Sequence, residues 1–344
     1  MRLRTAQSLA GALVFAACGG NPGQTALPGS ILDAGTSADG GAIAVVDAGT
    51  IAEVDAGNPA PTARGPLLAG CPTFGPDSEW NRDISGDPAD QHSADYLAFM
   101  NAGTMFIHPD FGAPEYGMPF KVVGGDQARV PMSFRYASQS NPGPYPFPAD
   151  IPIQTNDDRH AAVVDRDNCV LYETYYTWSA SGGFSADSGA RFDLRSSALR
   201  PDGWTSATAS GLPMVPGLIR TEEALDLGEI RHALLFTAGL TAHGYLHPAT
   251  HSTGTSAATY APPMGLRLRL RADFDLSTYH GTSLVVLTAL KRYGMFLLDN
   301  ATSPYWSVAG AKDPLWPTQD LEQLKSVPGT AFEVVRMGEV HPGP

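Results

Sequence analysis

The chain has 344 residues, 43% of them hydrophobic and 17% charged, with a formal net charge of −13. Such acidity repels a phosphate backbone, so neither DNA nor RNA is expected as a partner. The length suits one large domain or two intimate ones behind any targeting segment.

Arg2 and Arg4 give a positive start, Leu9 to Phe15 an apolar run, and Ala16 and Ala17 a small pair before Cys18. The run is far shorter than the ~20 residues a membrane-spanning helix needs, so a cleaved signal peptide over 1–17 is predicted. Phe-Ala-Ala-Cys resembles the bacterial lipobox, which implies that Cys18 becomes the first mature residue and carries acyl chains. Several chains on one residue anchor stably, so a membrane reached through that lipid is an expected partner. The junction also resembles those sorted in double-membrane bacteria, where Gly19 in place of Asp implies export to the outer membrane.

Residues 18–65 read as a disordered tether. They hold Gly, Ala, Asp, Thr and Pro without one aromatic residue, and Asp-Ala-Gly recurs at Asp33, Asp47 and Asp55. Such a stretch buries too little apolar surface to offset its ordering entropy. With the +2 of the signal and the −4 of the tether set aside, residues 66–344 carry −11 and read as a single domain. Setting Cys18 aside for lipid leaves Cys71 and Cys169. An even remainder in an exported chain predicts one disulfide, the alternative being two buried thiols. Closing that loop would stabilise by roughly 4–5 kcal/mol in the chain-entropy model.

From 66 onward the pattern predicts a mainly β domain, a sandwich, jelly roll or irregular barrel with a few short helices. Strands are predicted at Phe120–Val123, Val130–Arg135, Ala161–Val164, Cys169–Tyr176, Ile230–Thr237, Leu266–Ala272, Met295–Leu298 and Phe332–Val335, each bounded by Gly, Pro, Asn or Asp. Asp165 to Asn168 reads as a tight polar hairpin turn. Short helices are predicted from Ser93 to Met100, through Leu284, Leu287 and Leu290 up to Gly294, and from Thr318.

Period-two counting singles out candidate site residues. Glu173 shares a face with Cys169, Leu171 and Tyr175; on a core face its pKa would rise as a general acid needs, unless an arginine pairs with it structurally. His232 lies on the face of Ile230, Leu234 and Phe236, near Glu222, Glu223 and Glu229, either as a satisfied core histidine or as an acid–base group. His160, in Asp158-Arg159-His160, and Asp193, alternating outward with Arg195, are further candidates for paired acid–base work. Arg267, Arg269 and Arg271 alternate with Leu266, Leu268 and Leu270, so the arginine face is either solvated or a groove wall for acidic groups. His243, His247 and His251 fall at four-residue spacing, but Gly244 and Pro248 oppose a helix and no metal site is expected there. His251 alone remains a cleft candidate, and Trp204 is a surface on which a sugar ring can stack. No nucleophile elbow, phosphate loop or zincin motif is present, so no cofactor is expected.

The strings GWTSATASGLPMVPGLIRTEEALDLGEIRHALLF, APPMGLRLRLRADFDL, LKRYGMFLLDN and DRHAAVVDRDNCVLYE together resemble a family of secreted bacterial proteins found especially in actinobacteria and myxobacteria. The resemblance spans about Cys71 to Val335 and implies one extracytoplasmic domain; it brings no activity and no site residues. Two functions follow from the residues themselves. One is an enzyme on extracellular or cell-wall polysaccharide, a hydrolase or lyase, with acidic polysaccharide as a candidate substrate for the arginine face. The other is a non-catalytic module that binds glycan or a partner. The oligomeric state is left open.

Overall fold

The computed structural model describes residues 66–344 except 76, 114, 115 and 337, so the signal peptide, Cys18 and the tether lie outside the described residues. The fold is mainly β with a few short helices, as the alternating segments predict. Among the described residues no helix is long and apolar enough to cross a membrane.

A four-stranded sheet runs in the order Ser188–Asp193, Val170–Tyr175, Ala161–Asp165, Lys121–Val123. Its centre is the predicted hairpin, in register from Ala161↔Thr174 to Asp165↔Val170. The Asp165 carboxylate closes the turn by accepting from the Asn168 backbone and side-chain amides at 3.1 and 2.9 Å. Both faces of this sheet are covered. Ala162, Val164, Leu171, Ala190 and Phe192 enter the main core. Ala161, Val163, Val170 and Tyr172 join a second cluster with Tyr145, Phe147 and Phe184. That double burial explains why these strands read as nearly continuous apolar runs.

The main core also takes Leu234, Phe236, Leu268, Met295 and Leu297 from a six-stranded mixed sheet. Its order is Phe332–Val334, Arg267–Leu270, Met295–Asn300, Leu234–Ala238, Trp306–Val308, Ile107–Pro109. The helix Gly281–Arg292 leads into Met295–Asn300, and the Asp320 carboxylate accepts from the Thr282 N–H at its start. It stops at Gly294, where φ is +66° and a Cβ would meet the Leu268 carbonyl at 2.3 Å, so only glycine makes this turn. The predicted bridge is present: Cys71 and Cys169, 98 residues apart, are disulfide-bonded.

The arginine stripe is not a groove wall, and only Arg271 of the three is solvated. Arg267 and Arg269 are each only 6% exposed. The Arg267 guanidinium donates to the Tyr293 carbonyl at 2.9 and 2.6 Å, lies 4.6 Å over the Phe296 ring and meets Glu79 at 3.3 Å. Arg269 pairs with Glu333 and donates to the Ile84 carbonyl. Arg271 is exposed and bonded to Asp273 at 2.6 Å. The alternation was real, but the segment Glu79–Ile84 folds over the arginine face and uses it as a clamp.

His232 and Glu223 form a second internal polar cluster. Glu223 stands in a short π-helical turn, Glu222–Leu227, and its Oε2 meets Arg220 Nη2 at 2.6 Å and His232 Nε2 at 3.1 Å. Burial alone would raise the Glu223 carboxyl, yet His232 and Arg220 together hold it below the usual range. Arg220, with no exposed surface, also donates to the carbonyls of Val215, Pro216 and Leu218 at 3.3 to 3.4 Å. Removing one member of such a buried group strands the others. Arg220→Ala is therefore expected to cost about 3 kcal/mol in urea unfolding at neutral pH; a loss below about 1 kcal/mol, the scale of a surface pair, would show the cluster to be idle.

Candidate functional site

A cleft of about 630 Å³ opens where Tyr175 and Ser188, at one end of the four-stranded sheet, meet Thr237, Leu298 and Asp299 of the six-stranded sheet. It is polar and acidic. Asp110, Asp158 and Asp299 line it, and no lysine or arginine does so among the described residues.

A β-bulge sets its floor. Phe236 pairs with Leu297, but Thr237 pairs with Asp299, so Leu298 is the extra residue. Regular alternation would send Leu298 and Asp299 to opposite faces; at a bulge both line the cleft. The Asp299 carboxylate accepts from the Ala209 N–H at 2.9 Å and the Asn300 N–H at 2.7 Å. Those bonds favour its charged form, but burial, helped by the charge of Asp158, prevails and pushes its pKa up to about 6. Asp110 is raised for the same two reasons, against the pull of His108. The Thr237 hydroxyl, at the same floor, has no hydrogen-bond partner. A polar ligand group would satisfy it.

The loop Thr205–Gly211 positions the other groups. Its hydroxyls cluster around the Leu212 carbonyl, Ser206 Oγ at 2.7 Å and Thr208 Oγ1 at 3.1 Å, with Ser206 and Thr208 3.1 Å apart and Thr208 and Ser210 3.0 Å apart. So braced, it offers the Ala207 carbonyl to His160 Nε2 at 2.9 Å and the Ala209 carbonyl to His251 Nδ1 at 2.8 Å. Burial lowers the pKa of both histidines, disfavouring their charged forms, and His160 Nδ1 is also held by Gln154 Oε1 at 2.7 Å. With Nδ1–H given to Ala209, His251 keeps its lone pair on Nε2.

An aromatic run leads outward. His160 lies 5.6 Å from Tyr175, Tyr175 6.1 Å from Tyr176, and Tyr176 5.7 Å from the exposed Trp178 ring. Tyr176 has φ of +55°, a left-handed conformation that a bulky residue rarely adopts. Its N–H donates to the Asp158 carbonyl and the Thr177 N–H to that of Arg159, which fixes the aromatic turn against the segment carrying Asp158.

Of the residues singled out by pattern, His160 and His251 meet in this cleft. Glu173 does not line it. Wholly buried, it accepts from the Met214 N–H at 3.0 Å and the Val215 N–H at 2.7 Å. Burial raises it to about 7 against those donors and the charge of Arg200. Its shifted pKa was legible; its role is to hold the turn at Met214, which itself lines the cleft. His232, Glu223, Arg267, Arg269 and Arg271 lie elsewhere, in the contacts given above. Asp193 is exposed at the far end of the strand that begins at Ser188, about 17 Å away at strand spacing, and its carboxylate accepts from the Arg195 N–H. Trp204 is half-buried under Arg200 and lies beside the cleft loop without lining it. The pattern missed Asp299, Asp110 and the Ser/Thr loop, although the alternating run TSATAS was visible as a hydroxyl-rich segment.

No family model, curated protein or solved structure matches the chain.

Proposed function

We propose that this chain is an exported, lipid-anchored glycoside hydrolase acting on neutral extracellular or cell-wall polysaccharide. The observation that carries the reading is Asp299, a carboxyl with its pKa raised to about 6, at the floor of a polar cleft that the exposed Asp158 also lines. Hydrolysis of a glycosidic bond needs one carboxyl kept protonated and one ionised. Asp299 supplies the proton to the departing sugar oxygen, and Asp158 acts from the other side on water or the anomeric carbon. The free Nε2 of His251 and the unpartnered Thr237 hydroxyl bind sugar hydroxyls, and Tyr175, Tyr176 and Trp178 extend the binding surface out of the cleft. Among the described residues no lysine or arginine lines the cleft to stabilise a uronate enolate, which favours hydrolysis over elimination and neutral over acidic chains. A disulfide-bonded domain behind a Cys18 junction supports the exported, anchored placement.

The test is a panel of neutral and acidic polysaccharides assayed for new reducing ends and for unsaturated uronate absorbance. Reducing ends from a neutral glycan are expected, falling as pH rises through about 6 as Asp299 loses its proton. Retention on a glycan column with no reducing ends would replace the enzyme with a binding module. Unsaturated products would replace hydrolysis with elimination.

A further inference from the structure

We infer that Asp202, His247 and His341 form a binding site for a divalent transition ion of the zinc type. Three separate segments bring them together. The strand pair Gly244–Tyr245 and His341–Pro342 places Tyr245 opposite His341, and the chain continues directly from Tyr245 to His247. Asp202 Oδ1 lies 2.8 Å from His247 Nε2, and the His247 and His341 rings are 4.3 Å apart. One ligand atom from each of the three lies within 4.8 Å of the others. Ligand atoms on a tetrahedral zinc ion stand about 3.3 Å apart, so small side-chain rotations complete the site. None of the three lines the acidic cleft.

Tyr245 supplies the supporting shell. It is 3% exposed, its hydroxyl interacts electrostatically with Asp202, and its ring stacks on His341 at 5.4 Å and 17°. One residue therefore orients both the carboxylate and one imidazole, the outer arrangement that metal sites use to fix their ligands. Two imidazoles with one carboxylate select zinc-like ions over calcium or magnesium, which want oxygen alone. The Asp202 and His247 side chains are 55% and 42% exposed, which leaves a side open for water as a fourth ligand. The histidines grouped with His247 by spacing alone are used otherwise: His251 bonds to Ala209, and His243 Nδ1 faces the Gly254 carbonyl at 3.3 Å. The ion clips the strand His341–Pro342 to the body of the domain.

The experiment is calorimetric titration of the full chain, freed of metal by chelator, with ZnCl₂ and separately with CaCl₂. One equivalent of zinc is expected to bind and calcium none. His247→Ala and His341→Ala should each weaken zinc at least tenfold, and Tyr245→Phe about tenfold, whereas His92→Ala should leave it unchanged. Hydrogen exchange provides a readout independent of affinity, with zinc slowing the amides around His341 in the parent and not in His341→Ala. Absence of zinc binding, or binding that survives His341→Ala at parental affinity, overturns the site.

Discussion

Asp299→Asn is expected to lower kcat on the polysaccharide substrate about a thousandfold, within the range lost with a general acid, and to leave KM nearly unchanged. Asparagine has nearly the same shape, and its one carbonyl oxygen can keep the bond from the Ala209 N–H, which holds the loop docked, while the bond from the Asn300 N–H is given up. For the chemistry, what disappears is the proton. The variant's residual activity should also lose the alkaline limb near pH 6 that Asp299 imposes. Stability moves the other way. A carboxyl whose folded pKa is raised stabilises the fold fully below its unfolded value, near 4, and that contribution is gone once pH passes about 6. The parent's Tm should therefore fall between pH 4 and pH 7 by a step that Asp299→Asn lacks. A variant with parental kcat and a parental pH profile would remove Asp299 from the chemistry.

Cys71→Ser with Cys169→Ser is the largest expected loss of stability. The bridge spans 98 residues, and opening a loop of that size costs roughly 4–5 kcal/mol in the chain-entropy model. For a domain of this length that lowers Tm by about 8 °C. Adding a thiol reductant to the parent should produce the same shift, and adding it to the double variant none. Equal Tm for parent and variant in oxidising buffer would show that the bridge contributes nothing.

Local pattern reaches as far as the neighbours it can count. The hairpin at Asp165–Asn168, the helix stop at Gly294 and the cysteine pair were legible because turn chemistry, glycine and parity act within a few residues or on the whole chain at once. Glu173 was placed correctly on a buried face, yet its bonds go to Met214 and Val215, 41 and 42 residues away, which no periodicity announces. The arginine stripe failed for the same reason: Arg267 and Arg269 are covered by residues near Glu79 and Ile84, some 185 positions distant. Asp299 was invisible because only a register shift against Thr237 turns it inward, and register belongs to two strands together. Short strands such as Trp306–Val308 and Ile107–Pro109 carry too few residues to show a period.

His160, His251 and Asp299 are remote in the chain, yet all three are referenced to the adjoining peptide units of Ala207 and Ala209. In the language of machining, their positional tolerances do not accumulate along the parts between them, because each is gauged from one datum. Small drifts of either sheet then carry the three groups together and preserve their spacing. The same design concentrates vulnerability, since a lesion in those few loop residues would misalign every group at once.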